Sequence, residues 1–222
     1  MSSMSGINPM EATEGSPIVC VVDDDVSVRE ALEALIAAAG YSAKVFDSAE
    51  AFLAQPARPQ AGCLVLDVSL PELSGLELQD RLASQNALPI IFITGHGDIP
   101  MTVRAMKAGA VEFLTKPYGP EVILAAIANA VKLSQAVVRE RAALKGLRDR
   151  HGSLTPRERQ VMALVVRGLL NKQVGGDLGI SEITVKAHRG AMMTKMGARS
   201  LAELVNMAGH LGLPSAGSEE RS

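Results

Sequence analysis

Four apolar runs in the first half of the chain each lead into a residue able to bind a metal ion or a phosphoryl group. Cys63-Leu-Val-Leu66 delivers the carboxylate of Asp67, and Pro71 soon afterwards rules out a continuing strand. Ile18-Val-Cys-Val-Val22 is followed by Asp23, Asp24 and Asp25; Pro89-Ile-Ile-Phe-Ile93 by Thr94; and Val111-Glu-Phe-Leu114 by Lys116-Pro117, one residue on. Three carboxylates gathered at one rim repel unless a cation lies among them. Asp23, Asp24 and Asp67 offer small oxygen donors without a cluster of His or Cys, a set that favours Mg²⁺ with waters completing an octahedron. Lys116 would add a positive charge and Thr94 a hydroxyl, completing a phosphoryl-transfer site in which one carboxylate is the nucleophile. Asp67 is the best candidate, being the single acid at its strand end. Taken alone, any one of these residues reads as a solvated strand-end group; together, at matching ends, they read as a site.

The elements that must position them follow from the periodicity. Helices are expected over about 26–38, with Val28, Leu32, Leu35 and Ala39 on one face, then after Asp47, whose spacing to Glu50 suits a capping box. Further helices are expected over about 76–84 and 100–108, and short strands at Lys44–Phe46 and near Val111–Leu114. Five strand-then-helix repeats predict an α/β domain with a five-stranded, parallel, doubly wound sheet, whose carboxyl-terminal rim is where such folds place their sites. From Glu121 to about Arg148 a single long helix is expected. Its second half reads as a solvated connector, with packing against a partner as the alternative.

From Leu154 the pattern is all-helical. Thr155, Pro156 and Glu158 form a capping box with proline in the first turn; Gly179 stops a short helix over Lys172–Leu178; Ser181 caps a helix to about Lys195, with Ile183, Val185 and Met192 expected to pack inward; Ser200 and Glu203 form another capping box. The tight turn at Gly179 and the helix beginning after Ser181 are the order of a helix-turn-helix with its recognition helix second.

Charge divides along the same line. Residues 1–120 carry 7 basic and 15 acidic side chains, a net of −8, whereas residues 151–213 carry 8 and 4, a net of +4. The basic half is therefore the candidate for nucleic acid. Cys20 and Cys63, both inside expected core strands, read as small buried hydrophobes of a reducing compartment. No basic-apolar leader and no run approaching about 20 apolar residues is apparent, so a soluble cytoplasmic protein without membrane contact is expected.

Residues 17–130 resemble a response-regulator receiver domain. The resemblance rests on Val21-Val-Asp-Asp-Asp25, on Leu66-Asp67-Val-Ser-Leu-Pro71 with Gly75, on the stretch from Thr94 to Ala110, and on Phe113-Leu-Thr-Lys116-Pro117. It implies phosphorylation of Asp67 by a sensor histidine kinase, with Mg²⁺ held by Asp24, Asp67 and the carbonyl of Ser69 and Asp23 acting partly through water. It further implies phosphate sensing by Thr94 and Lys116, an inward swing of Phe113, and a cis peptide before Pro117. Ser69-Leu70 stands where relatives often have Arg-Met, and Glu72 replaces a usual glycine, adding a charge beside the pocket.

Residues 154–208 resemble the four-helix LuxR-type helix-turn-helix domain, through Leu154-Thr-Pro-Arg-Glu-Arg159, Gly168-Leu-Leu-Asn-Lys172, Leu178-Gly-Ile-Ser181, Thr184-Val-Lys-Ala-His-Arg189 and Lys195-Met-Gly-Ala-Arg-Ser-Leu-Ala-Glu-Leu204. Together the two resemblances point to the NarL/FixJ family: a phosphorylation-regulated transcription factor binding double-stranded DNA, dimerising on phosphorylation, with RNA polymerase a further partner. By family position Lys186, Ala187 and Gly190 face bases, while Lys172, Thr184, His188 and Lys195 position phosphates; Arg189 is a further DNA-binding cation, or else a solvated charge or a partner of Asp177 or Glu182. The division expected is a disordered 1–16, a receiver over 17–130, a helical linker over 131–153, a DNA-binding domain over 154–213, and a disordered tail over 214–222. The interior glycines Gly175, Gly176 and Gly190 suggest a domain that is soft until it meets DNA. Two rival functions are weaker. A dehalogenase-type phosphatase would carry an acid two residues after Asp67, where Ser69 stands, and a degenerate receiver serving only for interaction would not keep Asp23, Asp24, Asp67, Thr94 and Lys116 together.

Overall fold

The structure is a computed structural model that describes residues 17–56, 61–83 and 88–214. The expected disordered segment at 1–16 lies outside them, as do residues 215–222 of the expected tail over 214–222 and Ser84 at the expected end of one helix. The chain divides into two compact units, one ending at Val138 and the other beginning at Arg139.

The first unit alternates strand and helix: β1 (Ile18–Val22), α1 (Val26–Ala38), β2 (Ser42–Phe46), α2 (Ala49–Leu53), β3 (Gly62–Asp67), α3 (Gly75–Leu82), β4 (Ile90–Thr94), α4 (Ile99–Lys107), β5 (Glu112–Thr115) and α5 (Pro120–Gly152). The strands form one sheet in the order β2-β1-β3-β4-β5, all pairs parallel. This is the doubly wound α/β architecture expected, and its strand order reverses between β1 and β3, the crevice where such sheets bind ligands.

Alternation along the strands feeds two cores. Cys20, Val22, Leu64, Leu66 and Phe92 face one layer with Phe52, Leu78 and Leu82. Val19, Val21, Cys63, Val65, Ile91 and Ile93 face the other, with Leu32 and Ile36 of α1 and Ile123, Ile127 and Val131 of α5. Both thiols are inert packing groups: burial pushes Cys20 up to about 11 and Cys63 up to about 12. Ile36, rather than Ala39, completes the buried face of α1, Ala39 being exposed at its end. The cap of α2 is Ser48, whose hydroxyl accepts from the Ala51 amide, while Asp47 only accepts from the Ser48 hydroxyl. The capping-box spacing from Asp47 was one residue out of register. A capping box absent from the sequence reading, Ser74 with Glu77, starts α3.

Helix α5 passes the length and composition of a membrane span, although Asn129, Lys132, Ser134 and Gln135 interrupt its apolar residues. Its apolar residues Ile123, Ala126, Ile127, Ala130 and Val131 are buried on the sheet, so it is a core helix.

The second unit takes the end of α5 and adds α6 (Pro156–Val165), α7 (Asn171–Leu178), α8 (Glu182–Met196) and α9 (Leu201–His210). Its core holds Leu147 of α5 with Leu154, Val161, Met162, Val165, Val174, Val185, Met192, Met196, Leu204 and Ala208. The connector thus contributes a buried leucine to this unit rather than being solvated throughout. Thr155 and Glu158 form the expected box. At α9 Ser200 caps, but the Glu203 carboxylate accepts from the Arg199 amide instead of from its cap residue.

Candidate functional site

Strand ends β1 and β3, adjacent in the sheet, bring Asp23 and Asp67 side by side. Asp23, Asp24 and Asp67 each place a carboxylate oxygen within 4.8 Å of the others; Asp23 and Asp67 are buried and Asp24 is exposed. Lys116, just past β5, donates from Nζ to Oδ2 of Asp23 and to Oδ2 of Asp67, both at 2.7 Å. Its own amide donates to the Thr94 carbonyl at 2.7 Å, which fixes the end of β5 against the end of β4. Thr94 is fully buried, and its hydroxyl oxygen accepts from the His96 amide at 3.2 Å. The Ser69 amide donates to Oδ1 of Asp67 at 2.9 Å. The Lys116–Pro117 peptide is cis. Phe113 is half-buried beside Phe92, with ring centroids 6.1 Å apart.

Burial pushes the Asp23 carboxyl above its ordinary value, against the downward pull of the Lys116 hydrogen bond. Burial would lower Lys116, but its hydrogen bonds and charge interactions with Asp23 and Asp67 outweigh that and raise it. The pocket therefore holds a fixed ammonium against two sequestered carboxylates, with Asp24 open to solvent beside them. These all-oxygen donors fit Mg²⁺.

Two residues that build this pocket were given no role from the sequence. Gly75 opens α3 against the end of β3: its amide donates to the Val68 carbonyl at 3.1 Å, and a Cβ there would overlap the Asp67 carbonyl oxygen. Arg29 donates from Nη1 to the carbonyls of Asp23 at 2.7 Å and Asp24 at 2.9 Å, pinning the acidic turn. Only the glycine's place in the loop hinted at the first; nothing local marked the second. Glu72, in the loop after β3, has φ 62°, the left-handed region where a glycine is at no disadvantage.

In the second unit Gly179 and Gly197 end α7 and α8 in left-handed conformation, and Ser181 caps α8. Lys172, Lys186, Ala187 and Gly190 are exposed, while Thr184 and His188 are half-buried. The Thr184 and Ser181 hydroxyls are 2.8 Å apart. Lys195 is not a free cation: its Nζ donates to both Glu158 oxygens, at 3.0 and 2.8 Å, tying the end of α8 to the start of α6. The hydrogen bond from Lys195 holds Glu158 below its ordinary carboxylate value. Arg189 pairs with neither Asp177 nor Glu182 but donates to Oδ1 of Asn171 at 3.0 Å, joining α8 to the start of α7. Ile183, expected to pack inward, is 81% exposed. The buried face of α8 runs through Val185, Met192 and Met196, and Ile183 lies opposite it.

Comparison with known proteins follows these two sites. Residues 19–128 match the response regulator receiver domain, and residues 152–208 match the bacterial regulatory proteins of the luxR family. Nodulation protein W of Bradyrhizobium diazoefficiens is 48% identical over 204 residues, 91% of this chain and 90% of that protein. The transcriptional regulatory protein FixJ of the same species is 41% identical over 88% of this chain and 96% of its own. Among solved structures, the response regulator StyR superposes with a TM-score of 0.80 at 50% identity, covering 87% of this chain and 98% of that one. FixJ and StyR are regulators by name, and the chain sides with them rather than with aspartyl-phosphate phosphatases. Family membership brings with it a sensor-kinase partner, DNA binding and control by phosphorylation. The chain belongs to the NarL/FixJ family of two-component response regulators, with a receiver domain followed by a LuxR-type helix-turn-helix domain.

Proposed function

We propose that Asp67 is the phosphoacceptor of this regulator and that its state is read out through Thr94, Phe113 and Lys116 to a DNA-binding domain spanning 154–213, joined by a linker over 131–153 to a receiver over 17–130. The observation that carries this reading is Lys116 Nζ bound at once to Asp23 and Asp67. An oxygen of Asp67 attacks the phosphorus of a phosphohistidine; the O–P bond forms as the P–N bond breaks and the imidazole leaves. Asp24, Asp67 and the Ser69 carbonyl would hold Mg²⁺, with Asp23 acting partly through water, and the bound ion would supply positive charge for phosphoryl transfer. Lys116 keeps its ammonium beside the new phosphate, and the Thr94 hydroxyl, already accepting from His96, turns its hydrogen toward a phosphoryl oxygen. Phe113 then follows into the space Thr94 leaves.

For output, the reading favours a receiver homodimer through α4 and β5. On α4 the exposed apolar residues Ile99, Val103 and Met106 fall at helical spacing on one side, at 80%, 44% and 42% exposure. On DNA, Lys186, Ala187 and Gly190 would face bases and Lys172, Thr184 and His188 phosphates; Lys195 and Arg189 would act chiefly by holding α8 in place through Glu158 and Asn171. RNA polymerase is the partner through which promoter binding would act. The test is acid-labile phosphoryl incorporation from a small phosphodonor: wild type takes one group per chain and Asp67→Asn takes none. One group per chain on Asp67→Asn would place the nucleophile elsewhere.

A further inference from the structure

Helix α8 buries Val185, Met192 and Met196, and the stripe directly opposite is Ile183, Ala187, Gly190 and Thr194, at spacings of four, three and four. Three of these are small or short. Gly190 has open space where a Cβ would stand, so nothing from the domain itself covers that stripe. Ile183 differs from them. It is a large β-branched side chain in the second position of the helix, 81% exposed, and no other large hydrophobic among the described residues is more exposed. A single exposed isoleucine is ordinary on a protein surface. Here it stands one turn from the exposed Lys186, on the outward stripe of the helix whose short residues let its backbone come close to a partner. It also has no packing role to explain it.

The major groove offers such a side chain one apolar target, the C5-methyl group of thymine. We propose that Ile183 is a specificity-determining residue that packs on a thymine methyl in each half-site. Lys186 then supplies the polar contact one turn further along, and Ala187 and Gly190 contribute close approach rather than hydrogen bonds. The inference rests on the reading of α8 as the helix that enters the groove. It adds a position that reads shape and methylation of a base edge, where the flanking cations read charge.

The test uses the full chain on a duplex selected from a random pool. Each thymine is replaced in turn by deoxyuridine, which lacks only the methyl group. At one thymine per half-site wild-type affinity should fall by about fourfold, the effect of re-exposing one methyl group. Ile183→Ala should bind the unmodified duplex more weakly by a similar factor and lose nothing further at that same position, while Ile183→Val retains part of the effect. Because the side chain is exposed, neither variant threatens the fold. An Ile183→Ala protein that keeps the full thymine-to-uracil loss at every position overturns the proposal. A wild-type chain that enriches no sequence at all overturns the reading beneath it, a result visible before any variant is made.

Discussion

Asp23 is fully buried, and its charge is answered within the protein chain by Lys116 at 2.7 Å. The same ammonium answers Asp67, so two sequestered carboxylates depend on one cation. Removing it leaves them desolvated and facing each other. Lys116→Ala should therefore destabilise the receiver by about 1–3 kcal/mol in the absence of divalent ions. Added Mg²⁺ should stabilise the variant more than the wild type, since the ion then does alone what the two cations share. Urea unfolding with and without magnesium reads both effects; equal magnesium increments in the two proteins would show that Lys116 and the ion do not share these carboxylates. Glu72 is a second residue with a definite energetic signature. At φ 62° it holds a conformation that a residue with a Cβ adopts at a cost. Glu72→Gly should raise stability by about 0.5–1 kcal/mol, the relief of strain being offset by the greater freedom of glycine in the unfolded chain. The measurement is the urea midpoint at unchanged slope. A lower midpoint would mean that the glutamate side chain makes a compensating contact.

At the scale of elements, the helix-turn-helix glycines separate into two kinds. A Cβ on Gly175 would meet the Ile180 carbonyl oxygen at 2.8 Å, in the turn where the Ile180 amide donates to the Gly175 carbonyl at 3.0 Å. Gly176 and Gly190 have no neighbour in the way. Gly176→Ala and Gly190→Ala should each stabilise the domain by about 0.5–1 kcal/mol, whereas Gly175→Ala should give no gain or a loss, because the backbone turn must open to admit the methyl. Thermal unfolding of the three variants checks the ranking. The expected softness thus belongs to Gly176 and Gly190, while Gly175 is there for close packing. The Glu158–Lys195 pair joins α6 to α8 and gives a pH signature. Glu158 is held below its ordinary value of 4.5 in the folded state, so its contribution is fully present above that value and is lost as pH falls through the lower folded one. Glu158→Gln should flatten the acid side of the stability profile below about pH 4.5. An unchanged acid limb would mean that the pair contributes nothing.

The same elements show what was legible in the sequence. Strands β1, β3 and β4 were plain because each is a continuous apolar run closed by a polar residue, while β2 and β5, which carry Lys44 and Glu112, are shorter signals placed by the alternation of strand and helix. The capping box at Thr155 was legible too, whereas the one at Ser74 was not, and at Ser200 the glutamate reaches Arg199 instead. Choices between adjacent residues were not: Asp47 and Ser48 both suit a cap, and in the structure it is Ser48, in extended conformation, whose hydroxyl meets the Ala51 amide. Hydrophobicity alone does not orient Ile183, because the phase of α8 is set by Val185, Met192 and Met196 and leaves Ile183 on the opposite side. Arg189 found Asn171, and Arg29 two backbone carbonyls, partners whose proximity depends on tertiary geometry that no local spacing encodes.

For the whole molecule, the acidic receiver and the basic helix-turn-helix unit divide the work of sensing and binding, and each has its own core. A single small helix-turn-helix unit buries a limited interface, so specificity on DNA calls for two copies on adjacent half-sites. With Ile99, Val103 and Met106 exposed on α4, phosphorylation should shift the chain from monomer toward a two-fold dimer, seen as a rise in sedimenting mass at constant concentration with a phosphoryl mimic. A mass that stays monomeric would leave pairing to the DNA. The central claim is that charge at Asp67 controls affinity for DNA. The most direct measurement is equilibrium binding of the full chain to its selected duplex, with and without a small phosphodonor, for wild type and for Asp67→Asn. A coupling of about 1.4 kcal/mol predicts a roughly tenfold tightening of the wild type and none of the variant; a donor effect of equal size in both proteins, or in neither, would contradict it.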